Sequence, residues 1–121
     1  MQRDELYLAD IIAAAASVEK YLNGCSQSEF ERNELLQSAV LHKLMIVGEA
    51  TAQLSEALKS QNMDVRWREI VAFRNLVVHR YFRVDLVIVW NTATKDLPTY
   101  AARIRSLLSR LGDANLPAGN G

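Results

Sequence analysis

One cysteine in 121 residues, Cys25, leaves no internal disulfide and no cysteine cluster to hold a metal. Flanked by Gly24 and Ser26, that thiol reads as incidental to a loop rather than as a nucleophile. Two prolines and five glycines are too few for a linker-rich or low-complexity chain. No apolar run approaches the ~18 residues that a membrane span needs. Met1-Gln2-Arg3-Asp4-Glu5 is also unlike the start of a secretory signal. His42 and His79, the two histidines, do not form a metal-ligand pair by spacing. Net charge is zero, which excludes a chain that binds nucleic acid through bulk charge alone. These scarcities leave a single domain able to bury its own core, expected in a reducing cytoplasm, off the membrane, and with neither metal nor other cofactor.

What charge there is lies unevenly. Residues 1–63 carry five basic and nine acidic groups, net −4. From Arg66 to Arg83, five arginines (66, 68, 74, 80 and 83) face Glu69 alone, net +4. Arginine is the residue suited to forked phosphate contacts, so Arg68, Arg80 and Arg83 are candidates for holding a short piece of RNA around Arg74. Pairing with the acidic first half is the competing use of the same charges.

Periodicity predicts helices throughout. Leu8, Ile11, Ile12, Ala15, Val18 and Leu22 recur at helical spacing until Asn23-Gly24 stops the first helix. Ser28-Glu29-Phe30-Glu31 has the capping-box form and opens a second region. Its stripe, from Leu35 and Leu36 through Ala39, Val40, Leu44, Val47, Gly48, Thr51 and Leu54, runs toward Leu58. Gly48 costs about 1 kcal/mol of helix propensity, which a close approach by another helix would explain. Asp64 can cap a third helix from Arg66, with Ile70, Phe73 and Val77 inward. Val84 to Trp90 is rich in Val and Ile, yet no second strand exists to pair with it. A helix capped by Asp85 and continuing through Ala93 and Lys95 is the expectation. Pro98 suits a first helical position, with Gly112 as the stop. The predicted fold is all-α, an antiparallel up-and-down bundle of four or five helices in one domain over residues 1–112, followed by a flexible tail, residues 113–121.

Arg74-Asn75-Leu76-Val77-Val78-His79-Arg80-Tyr81 concentrates the chemistry. A guanidinium grips phosphate oxygens, and an imidazole moves protons near neutral pH. On a regular helix Asn75 and His79 share a face, whereas Arg74 and His79 stand about 140° apart. One straight helix therefore does not aim both at one phosphate. Either the helix is distorted around Val77-Val78-His79, or two copies meet across a two-fold axis and the site lies in a homodimer interface. Glu49, next to Gly48, is either an ion-pair partner that orients an arginine of the third helix or a solvated carboxylate. Tyr81 is a core-edge tyrosine, a stacking platform or a modification acceptor. Trp67 and Trp90 read as packing groups.

Arg74 to Phe82 matches the R-N-x-x-x-H-x-Y-F signature of the HepT-like branch of HEPN-domain proteins, and the chain resembles that branch over residues 4–111. Ile46-Val47-Gly48-Glu49-Ala50 is similar to its "iGEA" segment, and Trp67-Arg68-Glu69-Ile70-Val71 to its "WreI" lead-in. The resemblance implies a helical, homodimeric, metal-independent endoribonuclease, the toxin of a toxin–antitoxin pair. It implies Arg74 and His79 as the catalytic pair, Asn75 as their polar neighbour, and Tyr81 as the tyrosine that a minimal nucleotidyltransferase antitoxin modifies with AMP. The alternative is a non-catalytic HEPN-like module that binds a nucleotide or the partner. In that module His79→Ala would have no RNA cleavage to abolish.

Overall fold

The computed structural model describes residues 2–78 and 85–114. Helix α1 (Gln2–Leu22) buries Leu8, Ile11 and Val18 and ends where expected, at Asn23–Gly24, with Gly24 at φ +75°. The capping box lies two residues before its predicted place. Ser26 Oγ accepts from Glu29 N–H and Glu29 Oε1 accepts from Ser26 N–H, each at 3.1 Å, which starts a short α2 (Gln27–Glu31). Ser28 instead accepts from the Arg32 guanidinium at 2.7 Å. Asn33 restarts the chain as α3 (Glu34–Gln53), its Oδ1 accepting from Leu36 N–H at 3.0 Å. Leu35, expected in the buried stripe, is exposed, while Leu36 packs on the core.

Helix α3 stops short of Leu58 for a physical reason. The Ser55 N–H donates to Asp4 Oδ1 at 2.8 Å, and its hydroxyl donates to Asp4 Oδ2 at 2.6 Å. That amide is thereby diverted from the helical ladder. Ser55 Oγ also accepts from Leu58 N–H and caps a separate α4 (Glu56–Ser60). Asp4 is buried, so these two bonds answer its need for partners and tie the start of α1 to the end of α3. The two helices are consequently antiparallel.

Helix α5 (Trp67–Val71) begins beside Arg66 as predicted, but Asp64 does not cap it. Asp64 Oδ1 accepts from Arg103 Nη2 at 2.9 Å, drawn across by a full opposite charge. Trp67 anchors this start instead: its indole N–H reaches the Asn62 and Lys59 carbonyls at 3.0 and 3.3 Å. The chain then tightens into a 3₁₀ turn (Ala72–Arg74) before α6 (Asn75–Val78). Phe73 is buried and Ile70 packs partly on the core; the Val77 side chain lies outside the described set.

Asp85 caps α7 (Leu86–Asn91) as expected, Oδ1 accepting from Val87 and Ile88 N–H at 3.0 and 3.3 Å. Pro98 stands in the first turn of an α-helix, one residue after its start, but no break in the helical chain precedes it. A π turn (Thr92–Asp96) leads straight into α8 (Leu97–Ala114), which passes through Pro98 and Gly112. Proline cannot donate to the carbonyl of Thr94 and its ring crowds it, so the turn before it widens. Helix continues two residues past the predicted stop; residues 115–121 of the expected tail lie outside the described set. Phe30 meets Trp90 at a centroid distance of 5.6 Å, at the end of the bundle opposite Asp4, so α7 packs on α2 there and α8 runs back alongside α1, meeting α3 where Tyr100 bonds Thr51. The described residues are all-α, with no strand, in an up-and-down HEPN-like bundle. Its core holds Leu8, Ile11, Phe30, Leu44, Leu97 and Ile104, each essentially solvent-free and contributing about 1.5–3 kcal/mol for large side chains of this kind.

Candidate active site beside Gly48

Helix α3 and the 3₁₀ turn touch backbone to backbone. A Cβ placed on Gly48 would lie 2.8 Å from Arg74 N and 2.9 Å from Val71 O, so only glycine permits this crossing. The close approach expected from an otherwise costly glycine is thus present. Its consequence falls on the next residue. Glu49 projects alongside the turn, and its Oε1 meets Arg74 Nη1 at 3.3 Å. Of the two readings of Glu49, the ion pair with an arginine of the helix predicted from Arg66 is therefore the one formed. The pair is open to solvent, 39% exposed at Arg74 and 55% at Glu49, so it contributes at most about 1 kcal/mol to folding. Its effect is orientation.

The helix predicted from Arg66 is interrupted by a 3₁₀ turn at Ala72–Arg74; the distortion expected around Val77-Val78-His79 falls on a stretch whose His79 lies outside the described residues. Tighter winding over those three residues turns Arg74 relative to α5. Asn75 follows at the first position of α6, exposed and adjacent to the ion pair. Arg68 is exposed on α5. His79, Arg80, Tyr81 and Arg83 lie outside the described residues. Glu49 and Arg74 are therefore the site residues from distant parts of the chain that the described structure brings together, with Asn75 next to Arg74 in sequence.

Two wider clefts lie away from Arg74. One of 460 Å³ runs between α5 and α8, and one of 640 Å³ runs between α4 and α5, with Lys59 and Arg68 on its walls. A groove of 210 Å³ between α1 and α3 includes Glu49 and so adjoins the ion pair. Of these three openings, this groove is the one lined by Glu49, the partner of Arg74. Arg103 on α8 is a brace: Nη2 donates to Asn62 Oδ1 at 3.1 Å as well as to Asp64. Trp67 and Trp90 are packing groups, as their ring contacts with Tyr100 and Phe30 show. Among the described residues no group of three histidine, cysteine or carboxylate side chains could hold a metal ion. None of the described helices is long and apolar enough to cross a membrane.

Residues 11–107 match the family described as Ribonuclease HepT-like, and the chain belongs to that family. A protein of Thermococcus cleftensis named "Probable ribonuclease HepT" is 30% identical over 101 residues, 84% of this chain and 92% of its own length. An RNase-named protein of Methanocaldococcus jannaschii is 30% identical across 76% of this chain and 84% of its own length. Another, from Caldanaerobacter subterraneus, is 27% identical across 91% of this chain and 98% of its own. No solved structure matches the chain.

Proposed function

We propose that this protein is a metal-independent endoribonuclease, the toxin of a toxin–antitoxin pair, acting in the cytoplasm as a homodimer. The observation that carries the reading is the Glu49–Arg74 pair at the Gly48 crossing, five residues before His79, in a chain of the HepT-like ribonuclease family. RNA carries its own nucleophile, so cleavage needs no metal-activated water. His79 takes the proton from the 2′-hydroxyl or delivers one to the leaving 5′-oxygen, an effect typically worth ~10²–10⁴-fold. Arg74 neutralises charge building on the pentacoordinate phosphate, usually the largest single contribution. Asn75 orients the imidazole or the phosphate, and Arg68, Arg80 and Arg83 hold flanking phosphates. Products are a 2′,3′-cyclic phosphate and a 5′-hydroxyl.

Arg74 and His79, about 140° apart on a regular helix, converge when two copies of the segment face each other. Tyr81, two residues beyond His79, is the acceptor for AMP from a nucleotidyltransferase antitoxin. The added negative charge and bulk compete with substrate phosphate for Arg74, and silence the toxin. The test is cleavage of RNA by the purified protein beside His79→Ala, with and without EDTA. Cutting that survives EDTA, disappears in His79→Ala and stops when the cleaved nucleotide is 2′-deoxy is the expected result. Cutting that continues at a 2′-deoxy site refutes the route. Tyr81→Phe should stay nuclease-competent and escape silencing; silencing of unmodified Tyr81→Phe by the partner would refute control by AMP.

A further inference from the structure

The groove beside Glu49 has the chemistry of a base-binding site. Tyr7 and Asp10 line it from α1, and Met45, Ile46, Glu49 and Gln53 from α3. Tyr7 and Asp10 are three residues apart, and Met45 and Ile46 each stand three or four residues before Glu49, which is four before Gln53, so the wall belongs to the packed α1–α3 pair rather than to a loop. Tyr7, Met45 and Ile46 are half-buried and make an apolar floor; Asp10 and Gln53 stand exposed at the rim. No cation lines it, and the carboxylates of Asp10 and Glu49 repel a free anion. A planar group with apolar faces and a hydrogen-bonding edge fits this lining.

We infer that this groove receives the base of the nucleotide whose phosphate Arg74 holds, and that Tyr7, Asp10 and Gln53 set base preference at the cut. The inference rests on the nuclease reading above. Glu49 carries the connection, since it is both the edge of the groove and the partner of Arg74 at 3.3 Å. Tyr7 offers a ring face for stacking, which tolerates any base. Discrimination comes from the rim. Ionised Asp10 only accepts hydrogen bonds, whereas the Gln53 amide both donates and accepts. Guanine, adenine and cytosine, which present amino donors, are favoured over uracil.

The test uses the purified protein, a random-sequence RNA pool with mapped ends, and the variants Tyr7→Leu, Tyr7→Phe, Gln53→Ala and His79→Ala. Tyr7→Leu keeps an apolar side chain in the fold and removes the stacking face. Wild type should cut beside amino-bearing bases. Tyr7→Leu should lose about 10- to 100-fold in kcat/KM, the range for one lost base–aromatic stack. Tyr7→Phe should retain wild-type behaviour, and Gln53→Ala should redistribute the bases at the cut. Unchanged rates and base distributions in Tyr7→Leu and Gln53→Ala overturn the inference alone, provided that wild type cuts and His79→Ala does not. A Tyr7→Leu protein that loses its dimer while keeping base preference also overturns it, assigning the groove to contact between copies. RNA left intact by wild type overturns the nuclease reading, and this inference with it.

Discussion

Gly48 works through what it lacks. A methyl group there meets backbone atoms at 2.8 and 2.9 Å, and backbone cannot swing aside as a flexible side chain can. Gly48→Ala gains up to about 1 kcal/mol of helix propensity. Overpacking of this kind costs about 1–3 kcal/mol. A net loss of stability in urea titration is expected, with Arg74 pushed from Glu49 and RNA cleavage reduced at least 10-fold. An alanine variant of unchanged stability and activity would mean that the crossing is looser than described. Glu49→Gln separates orientation from folding. Unfolding free energy should change by less than about 1 kcal/mol because the pair is exposed. Cleavage should fall roughly 10-fold in kcat, with partial recovery in Glu49→Asp, by single-turnover kinetics.

Helix ends were legible where one side chain decides them, and obscure where a distant partner does. Asp85 and Gly24 act locally, and both were read correctly. Ser26 and Ser28 each have a glutamate three residues on, so two capping boxes compete two residues apart and only the packing of Phe30 separates them. The break at Leu54 depends on Asp4, fifty residues earlier, and the loss of Asp64 as a cap depends on Arg103. Neither partner is visible in a local window. For the same reason Pro98 looked like a beginning, when the ladder relaxes into a π turn and carries on. Asp85→Ala should cost about 1 kcal/mol, seen as faster amide exchange in α7. Asp4→Ala should cost more, about 2–3 kcal/mol, since it leaves the half-buried Ser55 amide and hydroxyl without their acceptors. Thermal denaturation of the two variants side by side checks that order.

At the scale of the whole molecule, the layout of the bundle follows from periodicity, the Glu49–Arg74 pairing is one of two uses of Glu49 that the sequence leaves open, and the groove at Tyr7 is not visible in it at all. That groove exists only because α1 and α3 lie side by side, and its residues are unremarkable on either helix alone. Global stability should carry a signature of Tyr100, whose hydroxyl lies 2.8 Å from that of buried Thr51. Burial raises its pKa from 10.0, outweighing the opposing bond to Thr51. The unfolded chain therefore releases this proton first as pH rises. Stability from Tyr100 is complete below pH 10 and declines above it, by up to about 1.4 kcal/mol per pH unit. Tyr100→Phe should be less steeply destabilised by alkali than the parent, in denaturant titrations from pH 9 upward.

A guanidinium that already has a carboxylate at its side is not waiting bare for an anion. On the proposed reading a phosphodiester joins Glu49 on that guanidinium rather than displacing it, since a guanidinium carries five N–H donors and Glu49 Oε1 meets Nη1. The carboxylate weakens the field that a stray chloride or inorganic phosphate meets there, while a strand gripped at several places still gains enough to dock. The resting protein is thereby guarded against small anions without any lid.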